Sequence, residues 1–330
     1  DLILYGRAIE YINDQKLADA DELLENVLSN PLSGTTAPYA NFWKGEIAYR
    51  QQRYDDAIRH LNLFLQSNVP ASGEATYSAA RYDLGYSWFQ KENFKNAQSA
   101  FEPLIKNVSA TSTFVEQDAF IRTADCYYMQ KDFAKAGAMY DAVIDKALTQ
   151  SDYALYQKAI IRGLQGSPVD KVLALEDLVN KYPNSRYTDE ALFQMGETYQ
   201  EMGRPDEYLA FVETVPGYKV TNNSRDSIIF QSAEYQYQNR KYQQAIDGFT
   251  NYLTKYPNGP NSLDAYYYRG ESYASADLRK FDMAQKDYAA VVNRGPSKFY
   301  SKASEKAALL SLNSQNNPAQ ALEYARKWEE

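Results

Sequence analysis

Residues 81–101 read Arg81-Tyr82-Asp83-Leu84-Gly85-Tyr86-Ser87-Trp88-Phe89-Gln90-Lys91-Glu92-Asn93-Phe94-Lys95-Asn96-Ala97-Gln98-Ser99-Ala100-Phe101, and this stretch decides the fold. Two amphipathic helical patterns flank the polar turn Lys91-Glu92-Asn93. The first places glycine among large side chains; the second places alanine twelve residues later, with Phe94 three before it and Phe101 four after it. Two helices can approach closely only where side chains are small. Gly85 and Ala97 supply such a crossing. The rings at i, i+3 and i+4 fill the space around it.

The same frame recurs. The small-residue pairs are Ala8/Ala20, Gly45/Ala57, Gly85/Ala97, Ala124/Ala136 and Ala233/Ala245. A large residue stands three before each second alanine: Leu17, Tyr54, Phe94, Phe133 and Tyr242. Another stands four after it: Leu24, Leu61, Phe101, Tyr140 and Phe249. Weaker frames fill the gaps: Ala159 with Lys171, Gly196 with Tyr208, Gly270 with Ala284, and Leu309 with Ala321. The Ala-equivalent positions, 20, 57, 97, 136, 171, 208, 245, 284 and 321, are 35 to 40 residues apart. Residues 276–280 hold an insertion, and the irregular frame over 187–220 predicts a short or displaced second helix. Asn30-Pro31, Val69-Pro70, Tyr182-Pro183 and Tyr256-Pro257 predict helix ends, because proline cannot continue a helix and biases its predecessor away from helical geometry. A single hairpin cannot bury both faces, so neighbours must stack. The expectation is one all-α domain over 1–330 with about eighteen helices.

Arg81-x-x-Leu84-Gly85-x-x-Trp88 followed by Ala97-x-x-x-Phe101, together with Ala245-x-x-x-Phe249…Pro257, resembles the tetratricopeptide motif W-x-x-L-G-x-x-Y…A-x-x-x-F…P, with Arg in place of the first Trp. The resemblance implies a right-handed α-solenoid of about nine antiparallel hairpins. Lys181-Tyr182-Pro183-Asn184-Ser185-Arg186-Tyr187 followed by Ala191–Glu197, with Tyr256-Pro257-Asn258-Gly259, is similar to bacterial cell-envelope tetratricopeptide proteins of the Tol-Pal-associated and outer-membrane-assembly lipoprotein types. That likeness implies a periplasmic or envelope-associated scaffold; cytoplasmic placement is the alternative.

Composition bounds the function. The 330 residues are 44% hydrophobic and 24% charged, with net charge −8 and interspersed signs, which argues against a nucleic-acid partner. No apolar run reaches the roughly 18–20 residues of a transmembrane segment. One cysteine, Cys126, excludes an internal disulfide framework. His60 is the single histidine, so neither a zinc site nor a catalytic triad is expected, and no phosphate-loop or dinucleotide motif occurs. Glu271-Ser272 is the pair found in lytic transglycosylases, but their further Gly-Leu-Met-Gln stretch is missing. The chain is expected to be no enzyme and to carry no cofactor. Thirty tyrosines suit a thin structure whose core lies near water.

In proteins of the resembled family, first helices line the concave face. Three residues before each small residue stand Tyr5, Phe42, Tyr82, Ile121, Tyr156, Phe193, Phe230 and Tyr267; one after it stand Ile9, Glu46, Tyr86, Asp125, Ile160, Glu197, Glu234 and Glu271. Members of each pair are four apart and share a helix face. The expected partner-binding set is Phe42, Glu46, Tyr82, Tyr86, Asp125, Tyr156, Phe193, Glu197, Phe230, Glu234, Tyr267 and Glu271. Aromatic rings beside carboxylates suit a Lys/Arg-containing protein or peptide. A carbohydrate-binding module using aromatic stacking is the second reading. The chaperone-type Lys/Asn/Arg carboxylate clamp has no counterpart. Apolar residues in the first and last helices lead to two further expectations: the chain is a piece of a longer array, and it self-associates weakly through the solenoid ends.

Overall fold

The computed structural model describes residues 2–329. Among them are eighteen α-helices and no strand beyond an isolated bridge between Ser72 and Ala75. The chain groups into two compact units, Asp1–Gln165 and Gly166–Glu330. The first contains α1 (Leu2–Asn13), α2 (Leu17–Ser29), α3 (Ala37–Arg50), α4 (Tyr54–Ser67), α5 (Tyr77–Gln90), α6 (Phe94–Phe101), α7 (Phe114–Met129), α8 (Phe133–Asp145) and α9 (Ser151–Leu164). A 3-10 turn, Glu102–Leu104, follows α6. The second contains α10 (Pro168–Lys181), α11 (Thr188–Met202), α12 (Pro205–Thr214), α13 (Asn222–Gln238), α14 (Tyr242–Lys255), α15 (Ser262–Ala274), α16 (Phe281–Asn293), α17 (Tyr300–Asn313) and α18 (Pro318–Glu329). Within each unit successive helices pack on one another in chain order.

The helix ends follow the prolines: α2, α4, α10 and α14 stop at Ser29, Ser67, Lys181 and Lys255, each just ahead of its proline. The small residues do what the frame demands. A Cβ on Gly85 would lie 2.4 Å from the Phe101 ring, and one on Gly45 would lie 2.6 Å from the Leu61 side chain. Leu61 and Phe101 are thereby fully buried, each contributing roughly 1.5–3 kcal/mol relative to exposure. Over 187–220 the second helix, α12, is indeed short, at ten residues.

One frame shifts. Leu309 is 50% exposed, whereas Ala307 is fully buried, so Ala307 is the small residue of the ninth frame. Its distance to Ala321 matches that between Gly270 and Ala284, because the turn after α17 is lengthened through Ser314-Gln315-Asn316-Asn317.

A regularity in the turns is invisible to hydrophobic periodicity. Five residues before every Ala-equivalent position the backbone is left-handed: Gln15, Gln52, Glu92, Lys131, Gly166, Gly203, Arg240, Arg279 and Asn316. In six of the turns the following residue returns its N–H five residues back, as Arg53 does to Ala48 and Lys241 to Gln236. This is the Schellman form of helix ending. The tyrosines also find a use. Tyr140, Tyr252 and Tyr288 are the largest fully buried side chains, and each gives its hydroxyl to a carboxylate: Asp125, Asp226 and Glu271 respectively.

Candidate partner-binding surface

The expected pairs come apart once partners are traced. Residues of the same hairpin and of the first helix of the following frame decide together whether their carboxylates remain available. In the second frame, Phe42 is buried against Trp43 and Phe64, with ring centroids 5.1 and 5.3 Å away. Glu46 pairs with Arg50 at 2.7 Å and meets Asp83 of α5. Burial, then the hydrogen bond and charge of Glu46, push the Asp83 carboxyl far above the usual range.

In the third and fourth frames the network is closed. Tyr82 donates its hydroxyl to Asp118 at 2.9 Å, and Tyr86 donates to the same carboxylate oxygen. The other Asp118 oxygen accepts from Gln150 at 3.0 Å. Arg122 bridges Asp118 and Asp125. Asp125 also accepts from Tyr140 at 2.5 Å and Tyr153 at 3.0 Å. Burial raises the Asp125 carboxyl although Arg122 and both hydroxyls pull the other way. Tyr156 is half-buried on α9. Asp118, Arg122, Gln150 and Tyr153 were missing from the expected set. Asp118 and Tyr153 both stand six residues before a small residue, Ala124 or Ala159, and that spacing was the available signal.

In the second unit, Phe230 is buried on Phe249 and Tyr252, and Tyr267 lies parallel on Phe299 with centroids 4.0 Å apart. Glu271 accepts from Lys306 of α17 at 2.7 Å and from Tyr288. Glu234 is half-buried; burial raises its carboxyl, opposed by Lys298. Phe42, Phe230 and Tyr267 therefore belong to the core and offer no free ring face to a ligand.

Phe193 and Glu197 differ. Phe193 is 58% exposed and Glu197 is exposed one turn on. The core rings Phe42 and Phe230 rest on the residue seven past the Ala position, Phe64 and Tyr252. In this frame that place is Val215, at the end of short α12. On α13 the places equivalent to Asp118 and Tyr153, six before the small residue, and to Lys306, one before it, hold Ser227 and Ser232, neither of them cationic. Glu197 has no ion-pair partner among the described residues. Glu190, Phe193, Glu197 and Glu201 recur at i, i+3, i+7 and i+11, one exposed stripe along α11.

The groups that could carry chemistry are ordinary in their settings. His60 is buried and hydrogen-bonded through Nδ1 to Asn41 at 2.8 Å; burial, then Arg59 and Lys44, bring its pKa down to about 4. Cys126 is fully buried, and burial pushes its thiol up to about 12. Among the described residues no three His, Cys, Asp or Glu side chains converge as metal ligands. No described helix is long and apolar enough to cross a membrane.

Models of the tetratricopeptide repeat match residues 5–75, 82–152, 153–185 and 228–259, well over half of the chain. The chain belongs to the tetratricopeptide repeat family. Members of that family are typically protein-interaction scaffolds. Outer membrane protein assembly factor BamD of Rickettsia prowazekii (strain Madrid E) is 20% identical over 242 residues, covering 72% of this chain and 86% of that protein. Similar solved structures include a tetratricopeptide repeat protein from Parabacteroides merdae ATCC 43184 (14% identity, 82% of this chain and 97% of that one, TM-score 0.45). Another is the C-terminal part of a repeat-containing protein from Cytophaga hutchinsonii (14% identity, 87% and 93%, TM-score 0.35).

Proposed function

We propose that this tetratricopeptide chain is a non-catalytic scaffold of a bacterial cell envelope. On the exposed face of α11 it holds a Lys/Arg-containing segment of a protein partner. The observation that carries the reading is on the exposed α11 stripe, where the Phe193 ring lies one turn from Glu197, a carboxylate with no ion-pair partner among the described residues. A ring face attracts an exposed cation by roughly 0.5–1 kcal/mol, and a charge-assisted hydrogen bond adds roughly 1.5–3 kcal/mol. The similarity to an outer membrane protein assembly factor supports the envelope setting.

The test is a peptide array of Lys/Arg-bearing sequences beside their Lys/Arg→Gln counterparts, read with the wild-type chain and with a Phe193→Ala/Glu197→Gln double variant. Basic peptides should bind, and the double variant should lose about tenfold or more, corresponding to at least ~1.4 kcal/mol. Equal binding by both chains would remove α11 as the site. Glycan binding without peptide binding would replace the reading by sugar stacking.

A further inference from the structure

The α11–α12 turn, α13 and α14 enclose a crevice of about 210 Å³ that shares no lining residue with the α11 stripe. Two departures from the repeat shape it. Three past the Ala position, other second helices carry side chains such as His60, Met139, Phe211 and Tyr324. In α14 that place is Gly248, whose Cβ would come 2.8 Å from that of Ala233. Three past the small residue, other first helices carry Tyr11, Trp88, Tyr127, Tyr199 and Tyr273. In α13 that place is Gln236, a polar amide only 1% exposed. Its Nε2 donates to the Gln200 and Glu201 carbonyls in the last turn of α11, at 2.9 and 3.1 Å. Those two bonds fix the amide's orientation, because a flipped Gln236 would set its oxygen against both carbonyls. Oε1, turned from them, has no hydrogen-bond partner. An unpaired buried acceptor is unfavourable, and a donor entering the crevice removes that cost.

The other polar groups of the lining say what kind of donor. Ser232 gives its hydroxyl to the Gln200 carbonyl at 3.3 Å, and Asn251 gives its amide to Asp206 at 2.8 Å. Asp247 accepts from Gln243 at 3.1 Å and has no ion-pair partner among the described residues. No lysine or arginine lines the crevice, while Met202, Pro205, Ile229 and Ala233 make its apolar walls. Acceptors beside apolar walls suit a cation on an alkyl stem, which packs its methylenes and presents its N–H groups. The volume lies below the roughly 300–1,000 Å³ of ordinary small-molecule sites, so it suits one side-chain-sized group. We infer that this crevice binds the end of an aliphatic cation, an alkylguanidinium or alkylammonium group. Asp247 supplies the counter-charge and Gln236 Oε1 a buried acceptor. The cation comes either from a Lys or Arg side chain of a protein partner or from a free amine.

Amide NMR spectra of the ¹⁵N-labelled 330-residue chain test this. The probes are agmatine, N-acetyl-arginine methylamide and the neutral near-isostere N-acetyl-citrulline methylamide. A cation should shift the Gly203 and Gly248 amides saturably, and the citrulline probe should bind about fivefold or more weakly. Binding by agmatine alone would assign the crevice to free amines; binding by the capped arginine as well would assign it to a partner's side chain. Asp247 is exposed, so Asp247→Asn should keep the fold and lose a similar factor in affinity. If circular dichroism shows that variant disturbed, Gln244→Arg, which sets a cation of the chain's own at the crevice, should weaken binding instead. Equal binding of the citrulline and arginine probes would overturn recognition of a cation. Shifts confined to the amides of Phe193 to Glu201 would overturn the crevice and leave the α11 reading standing, and shifts confined to Gly203 and Gly248 would do the reverse. No shift at either place would overturn the crevice as a cation site.

Discussion

Helices α5 to α9 and helices α11 to α14 are built on one repeat and treat their carboxylates in opposite ways. In the first region, Asp118 and Asp125 are buried and share Arg122 with four tyrosine hydroxyls. In the second, Glu197 occupies the same repeat position as Asp125 but is exposed and has no ion-pair partner among the described residues. Both lie within α-helices, α7 and α11. Arg122 and Tyr140 of its own hairpin and Tyr153 of the next helix make Asp125 part of the scaffold, whereas the places of Arg122 and Tyr140 in the Glu197 frame hold Gln194 and Val212. A motif position in such an array therefore carries no fixed role, and each must be read with the following frame.

The largest way to break this comparison is Asp125→Ala. It leaves the Arg122 guanidinium and the fully buried Tyr140 hydroxyl without their shared acceptor. Removing one member of a buried charged pair costs about 3–5 kcal/mol. Urea unfolding of the variant should show that loss in the transition of the first unit. Glu197→Ala should stay within ~0.5 kcal/mol of wild type. If Asp125→Ala proves equally silent, the network is solvated in solution and the contrast collapses.

Next comes pH. In the unfolded chain Asp83 ionises near ~3.9. In the fold, burial and Glu46 keep it protonated well above that. Above ~pH 4 the folded chain thus binds the extra proton, and stability falls as pH rises, by at most about 1.4 kcal/mol per pH unit. Asp83→Asn should flatten this slope. An unchanged difference between pH 5 and pH 8, relative to wild type, would show Asp83 ionised in the fold. His60 acts on the acid side with the opposite sign. Its folded value of about 4 lies below the unfolded ~6.5, so stability is lost as pH drops between them.

The architecture was legible in the residues because small–large spacing and proline ends are local signals. Gly85 against Phe101, or Tyr256-Pro257 after α14, can be read within forty residues. Leu309 misled the frame because the lengthened turn at Ser314–Asn317 shifts spacing without changing the apolar pattern. Most of the expected aromatic–acidic surface was misread for another reason. Counting within one helix finds Glu271 and Tyr267 on a shared face, but Lys306 and Phe299, which occupy them, lie one repeat on. Local periodicity does not contain that information, whereas reading two frames together does. The left-handed turns were hidden because seven of the nine are not glycine.

Those turns give a smaller test. Arg240 is exposed and sits at φ 59°, while Gly203 holds the equivalent place at φ 72°. A left-handed non-glycine residue carries a backbone penalty, partly offset by glycine's greater unfolded-state entropy. Arg240→Gly should raise the stability of the second unit by about 0.5–1 kcal/mol, and Gly203→Ala should lower it by a similar amount. Opposite signs for the two changes, read by thermal unfolding, would support one turn geometry. A loss on Arg240→Gly would mean that the arginine side chain contributes more than its backbone costs.

The smallest effect on stability belongs to the surface with the largest proposed role. Phe193 and Glu197 contribute little to packing, so Phe193→Ala and Glu197→Gln should each leave the unfolding midpoint almost unchanged, within ~0.5 kcal/mol. Glu271→Gln, at the same repeat position as Glu197, should cost more, because Lys306 then loses its counter-charge and Tyr288 its charged acceptor. The two glutamates should separate in binding as well. Affinity for a Lys/Arg-bearing peptide should fall for Glu197→Gln at low ionic strength and converge with wild type as salt screens the stripe. Glu271→Gln should leave that affinity untouched while the fold holds. Reversal of this pattern, with Glu271→Gln weakening binding and Glu197→Gln silent, would move the partner from α11 to the α15–α17 face. Exposure alone would then be the wrong guide to where this scaffold meets its partner.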